Sequence, residues 1–181
     1  MRKGCVWMCV IGMLILLSGC SGKTVSADKG ESVFGVFTTT DMAGNPVNEQ
    51  VFSEHKLTMV NIWATFCSPC IREMPDLAQL QTEFGDSFQI VGIVVDAGDR
   101  NGMILPHKIA EAASIIEATG AEYLHLLPSA SLNKAYLSNV QTVPETIFID
   151  ENGNQVGEKY YGAKSKSDWK MIIDTLLGSL S

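Results

Sequence analysis

Along most of the chain, short apolar runs alternate with segments whose apolar residues recur every three or four positions. Residues 57–64 (LTMVNIWA) and 88–95 (FQIVGIVV) are nearly unbroken apolar, the pattern of strands covered on both faces. Between them Ile71, Met74, Leu77, Leu80 and Phe84 keep a helical period, which predicts a helix over 70–84, kinked at Pro75. A second helix is predicted over 107–119, with Ile109, Ala112, Ala113 and Ile116 on one side. A strand over 122–127 follows, then a short helix over 129–137 capped by Ser129 or Ser131. Residues 146–150 (TIFID), 151–154 and 155–161 read as strand, turn and strand. Residues 165–177 close the chain as an amphipathic helix carrying Trp169, Ile172, Ile173, Leu176 and Leu177. Near the start, 33–38 and 47–52 are predicted as extended pieces around a turn at 43–46, an N-terminal β-hairpin.

Strands that alternate with helices imply parallel pairing through right-handed crossovers, and the terminal hairpin implies an antiparallel edge. The expected class is therefore α/β, with a mixed central sheet flanked by helices. A length of 181 residues suits one such domain.

Composition narrows the function more than the fold. Lys+Arg 13 against Asp+Glu 20 gives a formal net charge of -7, which argues against a nucleic-acid surface. A hydrophobic fraction of 46% excludes a disordered chain, and a monomer is expected. His55, His107 and His125 share no spacing that would bind a metal, so no metal and no cofactor are expected.

The first residues read as an address. Arg2 and Lys3 precede an apolar run over 5–17. At about 1.5 Å per residue a helix there falls short of a hydrocarbon core of about 30 Å, so the run reads as a signal-peptide core over 1–19. Leu17-Ser18-Gly19-Cys20 then resembles a bacterial lipobox, which makes Cys20 a lipidation site and a membrane anchor. Residues 21–32 are small and polar, so 20–32 is expected to be a lipidated tether ahead of a domain at 33–181. Cys5 and Cys9 leave with the leader, so Cys67 and Cys70 remain as the chain's exported thiols.

Those two cysteines carry the chemistry. Cys67-Ser68-Pro69-Cys70 follows a predicted strand and opens a predicted helix. The spacing lets the sulfurs close a small ring. Unpaired backbone N–H groups and the positive helix end favour thiolate at Cys67, and Pro69 suits a first turn in which its missing N–H costs nothing. Cys67 is assigned as the exposed attacking sulfur and Cys70 as the resolving one. Rival readings fit less well. Zinc needs further ligands, and there is no second CxxC. Haem attachment needs His at 71, where Ile stands. Peroxiredoxin-like proteins carry Thr three residues before the cysteine and Pro further upstream, where this chain has Ala64 and Val60, and Thr65 is out of register. A structural disulfide across so short a loop would stabilise weakly.

Asn61-Ile62-Trp63-Ala64-Thr65-Phe66-Cys67-Ser68-Pro69-Cys70, followed by Glu73-Met74-Pro75, resembles the thioredoxin fold, and within it the membrane-anchored TlpA/ResA-like disulfide reductases. The resemblance covers about 33–181. It implies a thioredoxin-like fold with a central helix–strand insertion, here 96–127, and a redox-active Cys67–Cys70 disulfide. It implies that Pro75 kinks the active-site helix, that Val143-Pro144 is a cis-proline loop packed against the disulfide, and that the Val143 backbone pairs with a bound substrate chain. Trp63 is expected to pack beneath the site. Thioredoxin has a buried Asp where this chain has Asn61; the TlpA/ResA-like group has Asn there and a Glu at the position of Glu73, which makes Glu73 the candidate proton acceptor or pKa tuner for the pair. The group usually has Trp where Phe66 stands, so Phe66 keeps an apolar wall for substrate without the indole N–H. Asp99 and Arg100 fall in the insertion, as loop residues that could shape a substrate surface. The implied activity is that of an extracytoplasmic thiol:disulfide oxidoreductase, a reductase of exported clients such as apocytochrome c or methionine sulfoxide reductase, supplied with electrons by a membrane thiol transporter. The alternatives are a redox sensor whose pair gates an interaction without turnover, and a peroxidase-like redoxin.

Overall fold

The computed structural model describes Met1, 32–99 and 101–180. The leader beyond Met1, Cys20, the tether up to 31 and Arg100 lie outside the described residues. Among the described residues, seven strands and four α-helices follow one another: β1 Thr38–Thr40, β2 Pro46–Asn48, β3 Leu57–Trp63, α1 Ser68–Phe84, β4 Phe88–Val94, α2 Pro106–Thr119, β5 Leu124–Leu126, α3 Ala130–Ala135, β6 Glu145–Asp150, β7 Gln155–Tyr161 and α4 Lys166–Ser179. The main sheet has the order β5-β4-β3-β6-β7. β3 pairs in parallel with β4, and β4 with β5, while β6 and β7 run antiparallel to their neighbours. β1 and β2 form a separate hairpin, joined to β5 through Asp41 and Leu126.

The two continuous apolar runs, β3 and β4, are buried at every position, as strands with helices on both faces must be. Their alternate residues feed two cores. Leu57, Met59, Trp63, Phe88, Ile90, Val94 and Phe148 pack under α1, α2 and α4 with Met74, Leu77, Ala112, Trp169 and Ile173. Val60, Ile62, Val91, Ile93, Ile147 and Ile149 pack on the other face with Phe34, Phe37, Phe52, Leu132 and Tyr136.

Three expectations are corrected. Residues 33–38 do not form a strand: Phe34 and Phe37 are buried in an aromatic cluster with Phe52 and Tyr136, and the backbone turns to deliver them before β1 starts at Thr38. The extended piece over 47–52 ends at Asn48, whose side chain accepts from Gln50 N and caps a 3-10 turn over Glu49–Glu54. On α2, Ala113 faces solvent; the packed face is Ile109, Ala112, Ile115 and Ile116. Pro75 lies inside α1, which continues from Ser68 to Phe84 around it. Ser129, not Ser131, caps α3, accepting from Leu132 N at 3.1 Å.

Candidate active site

Strand β3 ends at Trp63, and a tight turn closed by Cys67 N donating to Ala64 O at 3.0 Å brings the chain to α1. Cys67 is the residue that caps this helix, with an extended backbone, and its sulfur accepts the Cys70 N–H at 3.3 Å. The first sulfur therefore sits against unpaired N–H groups at the positive helix end, where a thiolate is favoured. Pro69 occupies the first turn. Cys67 and Cys70 are joined as a disulfide with a Cα–Cα separation of 5.3 Å. Burial of the pair is graded: Cys67 retains 5% exposure, and Cys70 none. Cys67 is thus not the openly exposed residue expected from sequence but a nearly covered one.

Among the described residues, no group of three His, Cys, Asp or Glu side chains gathers where a metal could be held.

The Val143–Pro144 peptide is cis and stands immediately before β6. Because Glu145 pairs with Ile62 in the antiparallel β3–β6 register, Pro144 is placed beside the end of β3, next to the loop that carries Cys67. Phe66 projects from that loop with 71% exposure. Together with Val95, Leu137, Val140 and Val143 it walls a cleft of about 420 Å³ beside the loop that carries Cys67.

Beneath the disulfide lies a buried polar layer. Glu73, one turn into α1 from Cys70, is 3% exposed, so it is no solvated surface carboxylate. Asn61 Nδ2 donates to Glu73 Oε1 at 3.1 Å and to Thr146 Oγ1 at 3.1 Å. Glu73 Oε2 accepts from Trp169 Nε1 and from Lys164 N, both at 3.2 Å. Burial pushes the Glu73 carboxyl above the ordinary glutamate value, and the bonds from Trp169, Lys164 and Asn61 resist that shift. Trp63, fully buried, donates from Nε1 to His125 Nδ1 at 3.2 Å, and His125 Nε2 faces Ala121 O at 2.8 Å. The imidazole is thereby a neutral ring with its proton on Nε2, and burial lowers its pKa to about 4.

Reading the sequence did not find the polar cluster on the opposite side of the loop. Thr65 donates from its backbone N to Asp96 Oδ1 and from Oγ1 to Asp96 Oδ2, at 2.9 and 2.6 Å, and Lys108 reaches the same hydroxyl at 2.8 Å. Nor did it assign Trp169 any role beyond packing. No spacing rule connects these residues; only the tertiary fold does. Asp99, expected in a loop, closes its own turn by accepting from Asn101 N and Met103 N.

The Redoxin family model matches residues 23–173. The chain belongs to the Redoxin family. Among similar proteins, the Redoxin-family chain is 24% identical over 176 residues to the thioredoxin-like protein YneN of Bacillus subtilis (strain 168), covering 93% of this chain and 96% of that protein. It is 26% identical over 171 residues to the thiol-disulfide oxidoreductase ResA of Bacillus anthracis, covering 85% and 87%. The crystal structure of a thiol:disulfide interchange protein of the thioredoxin family from Chlorobium tepidum TLS superposes with a TM-score of 0.64 at 24% identity, over 78% of this chain and 93% of that one. StoA from Bacillus subtilis gives 0.55 at 20% identity, over 77% and 97%. The fold of this Redoxin-family chain is thioredoxin-like, with a mixed sheet flanked by helices. With a CxxC disulfide at the strand-to-helix junction, the chain is a thiol–disulfide oxidoreductase.

Proposed function

We propose that the protein is a reductase of disulfides in exported client proteins, held at the outer face of the cell membrane through a lipid on Cys20. Supporting the enzymatic half is one observation: the Cys67 sulfur caps α1 and accepts a backbone N–H, while Cys70 is sealed behind it. Such a pair works in sequence. The Cys67 thiolate attacks one sulfur of a client disulfide, that bond breaks, and a mixed disulfide forms as the first client sulfur leaves as a thiol. Cys70 then attacks Cys67, releasing the second client thiol, and the pair ends oxidised with two electrons delivered. A membrane thiol–electron transporter would reduce Cys67–Cys70 again.

Glu73 accepts the proton that Cys70 must lose before it can attack. Its burial and its raised pKa suit a group that takes up a proton more readily than a solvated glutamate does. The client chain lies along Val143, pairing its backbone there, with an apolar side chain in the cleft walled by Phe66, Leu137 and Val140. Apocytochrome c before haem attachment and methionine sulfoxide reductase are the candidate clients. The export and anchoring half rests on the leader and on the Leu17-Ser18-Gly19-Cys20 box. Among the described residues, no helix is long and apolar enough to cross a membrane.

Trapping tests the whole reading. Expressed in cells, the Cys70→Ser chain should accumulate mixed disulfides between Cys67 and exported proteins, and the purified wild-type chain should reduce insulin with turnover that needs both cysteines. Stoichiometric oxidation without client reduction would favour a sensor instead.

A further inference from the structure

The loop that presents Cys67 is tied down from the side of the insertion. Asp96, just past β4, takes both donors of Thr65, the backbone N at 2.9 Å and Oγ1 at 2.6 Å. Thr65 lies two residues before Cys67 and is only 4% exposed. Lys108, from the first turns of α2, donates to Thr65 Oγ1 at 2.8 Å and lies 3.3 Å from Asp96 Oδ2. It also pairs with Glu111 at 2.8 Å. The hydroxyl of Thr65 gives its proton to Asp96 and accepts a bond from Lys108.

α2 does not need this arrangement for docking, because Ile109, Ala112 and Ile116 already pack it on the core. A lysine that only served solubility would keep its ammonium in water, since ordering a long side chain costs entropy. Here three partners fix it against the loop that presents the nucleophile. We propose that Lys108 is a positioning residue for thiol–disulfide exchange: with Asp96 it locks Thr65, and so the loop that presents Cys67, and its charge offsets the two carboxylates that would otherwise face the Cys67 thiolate. This rests on Cys67 being the attacking sulfur.

The charges tied to the loop that presents Cys67 are Asp96 from the end of β4 and Lys108 from α2, with Glu111 paired to Lys108; Glu73 lies on α1, one turn past Cys70. Removing the lysine leaves Asp96 and Glu111 unopposed and disfavours thiolate; removing the Asp96 charge does the reverse. Either change weakens the clamp. Geometry and field therefore separate cleanly, because loosening acts with one sign in both variants and the field with opposite signs.

The test is a thiolate absorbance titration of Cys67 in the reduced full chain, alongside insulin reduction. Lys108→Met should raise the Cys67 midpoint and Asp96→Asn should lower it, each by about half a pH unit, or about threefold in thiolate fraction below the midpoint. Both should slow turnover at saturating insulin more than they change KM. Lys108→Arg, which keeps charge and donors, should titrate within experimental error of wild type. Midpoints that stay put, or that move together in Lys108→Met and Asp96→Asn, overturn the proposal. If the midpoints move as expected while even the wild-type chain reduces no client, the role of Lys108 stands and the reductase reading falls.

Discussion

On the proposed mechanism the site's chemistry turns on Glu73, because its charge is worth most where water is least. A carboxylate 3% exposed is held ionised only as well as its donors allow, and it has three: Asn61 Nδ2, Trp169 Nε1 and Lys164 N. Trp169→Phe keeps a ring against Phe148 and Tyr160 but deletes one donor to the charged form. The Glu73 pKa, already raised, should then rise further. The acid limb of the pH–rate profile for insulin reduction should move the same way, and an unmoved limb would separate Trp169 from the carboxylate's charge. The position of Glu73 was legible in the sequence through the resemblance alone, which puts a Glu three residues after the second cysteine; that it shares a buried helix face with Cys70, Met74 and Leu77 only the structure shows. Its partners were not legible. Lys164 and Trp169 lie 91 and 96 residues further along the chain, and nothing local announces that a core tryptophan will aim its N–H at a carboxylate.

At the scale of elements, β4 shows how one missing side chain sets the polar layer. Gly92 pairs with Asn61 on one side and His125 on the other. A Cβ at Gly92 would overlap the His125 ring at Nδ1, the atom that accepts from Trp63. Gly92→Ala should therefore displace His125 and break the Trp63 bond, costing about 1–3 kcal/mol as overpacking in a rigid core does. A drop in the denaturant midpoint with changed tryptophan emission would report both effects; a neutral result would mean that the imidazole can move without loss. The elements themselves were readable where one periodicity ran unopposed, as in β3, β4 and α1. They were not readable at 33–54, where large apolar side chains are spaced as in strands but are buried from turns. Phe34 and Phe37 reach the same aromatic cluster as Phe52, and Asn48 caps a 3-10 turn where β-propensity favoured extension. Burial there is decided by the second face of the sheet, where Phe34, Phe37 and Phe52 of the N-terminal segment pack on Val60, Ile62, Ile147 and Ile149. The hairpin's own pairing at β1 and β2 is correspondingly short.

For the molecule as a whole, the two buried titratable groups beneath the disulfide give stability opposite dependences on pH. Glu73 has a folded pKa above its ordinary 4.5, so the folded state holds that proton more tightly than the unfolded chain does. Its contribution is fully present below 4.5 and is lost as pH rises through the folded pKa. His125 is the reverse. Its folded pKa of about 4 lies below the ordinary 6.5, so the unfolded chain binds the proton first, and stability is fully present above 6.5 and is lost as pH falls toward 4. The full His125 effect amounts to about 3 kcal/mol, and between 4.5 and 6.5 the two slopes oppose each other. Thermal melts of the wild-type chain above pH 4.5 should therefore depend on pH less steeply than His125 alone would make them, and single substitutions should expose each slope. Glu73→Gln should leave a chain that loses stability steeply on acidification from pH 6.5, because only His125 remains to act. His125→Gln should lower stability throughout but leave a chain that gains stability as pH falls toward 4.5. The slopes, not the absolute melting temperatures, carry the test, since His125→Gln also loses packing against Tyr123 and the bond from Trp63. Parallel curves for the two variants would mean that neither group changes protonation on unfolding, and that the polar layer under Cys67 and Cys70 is held by packing alone.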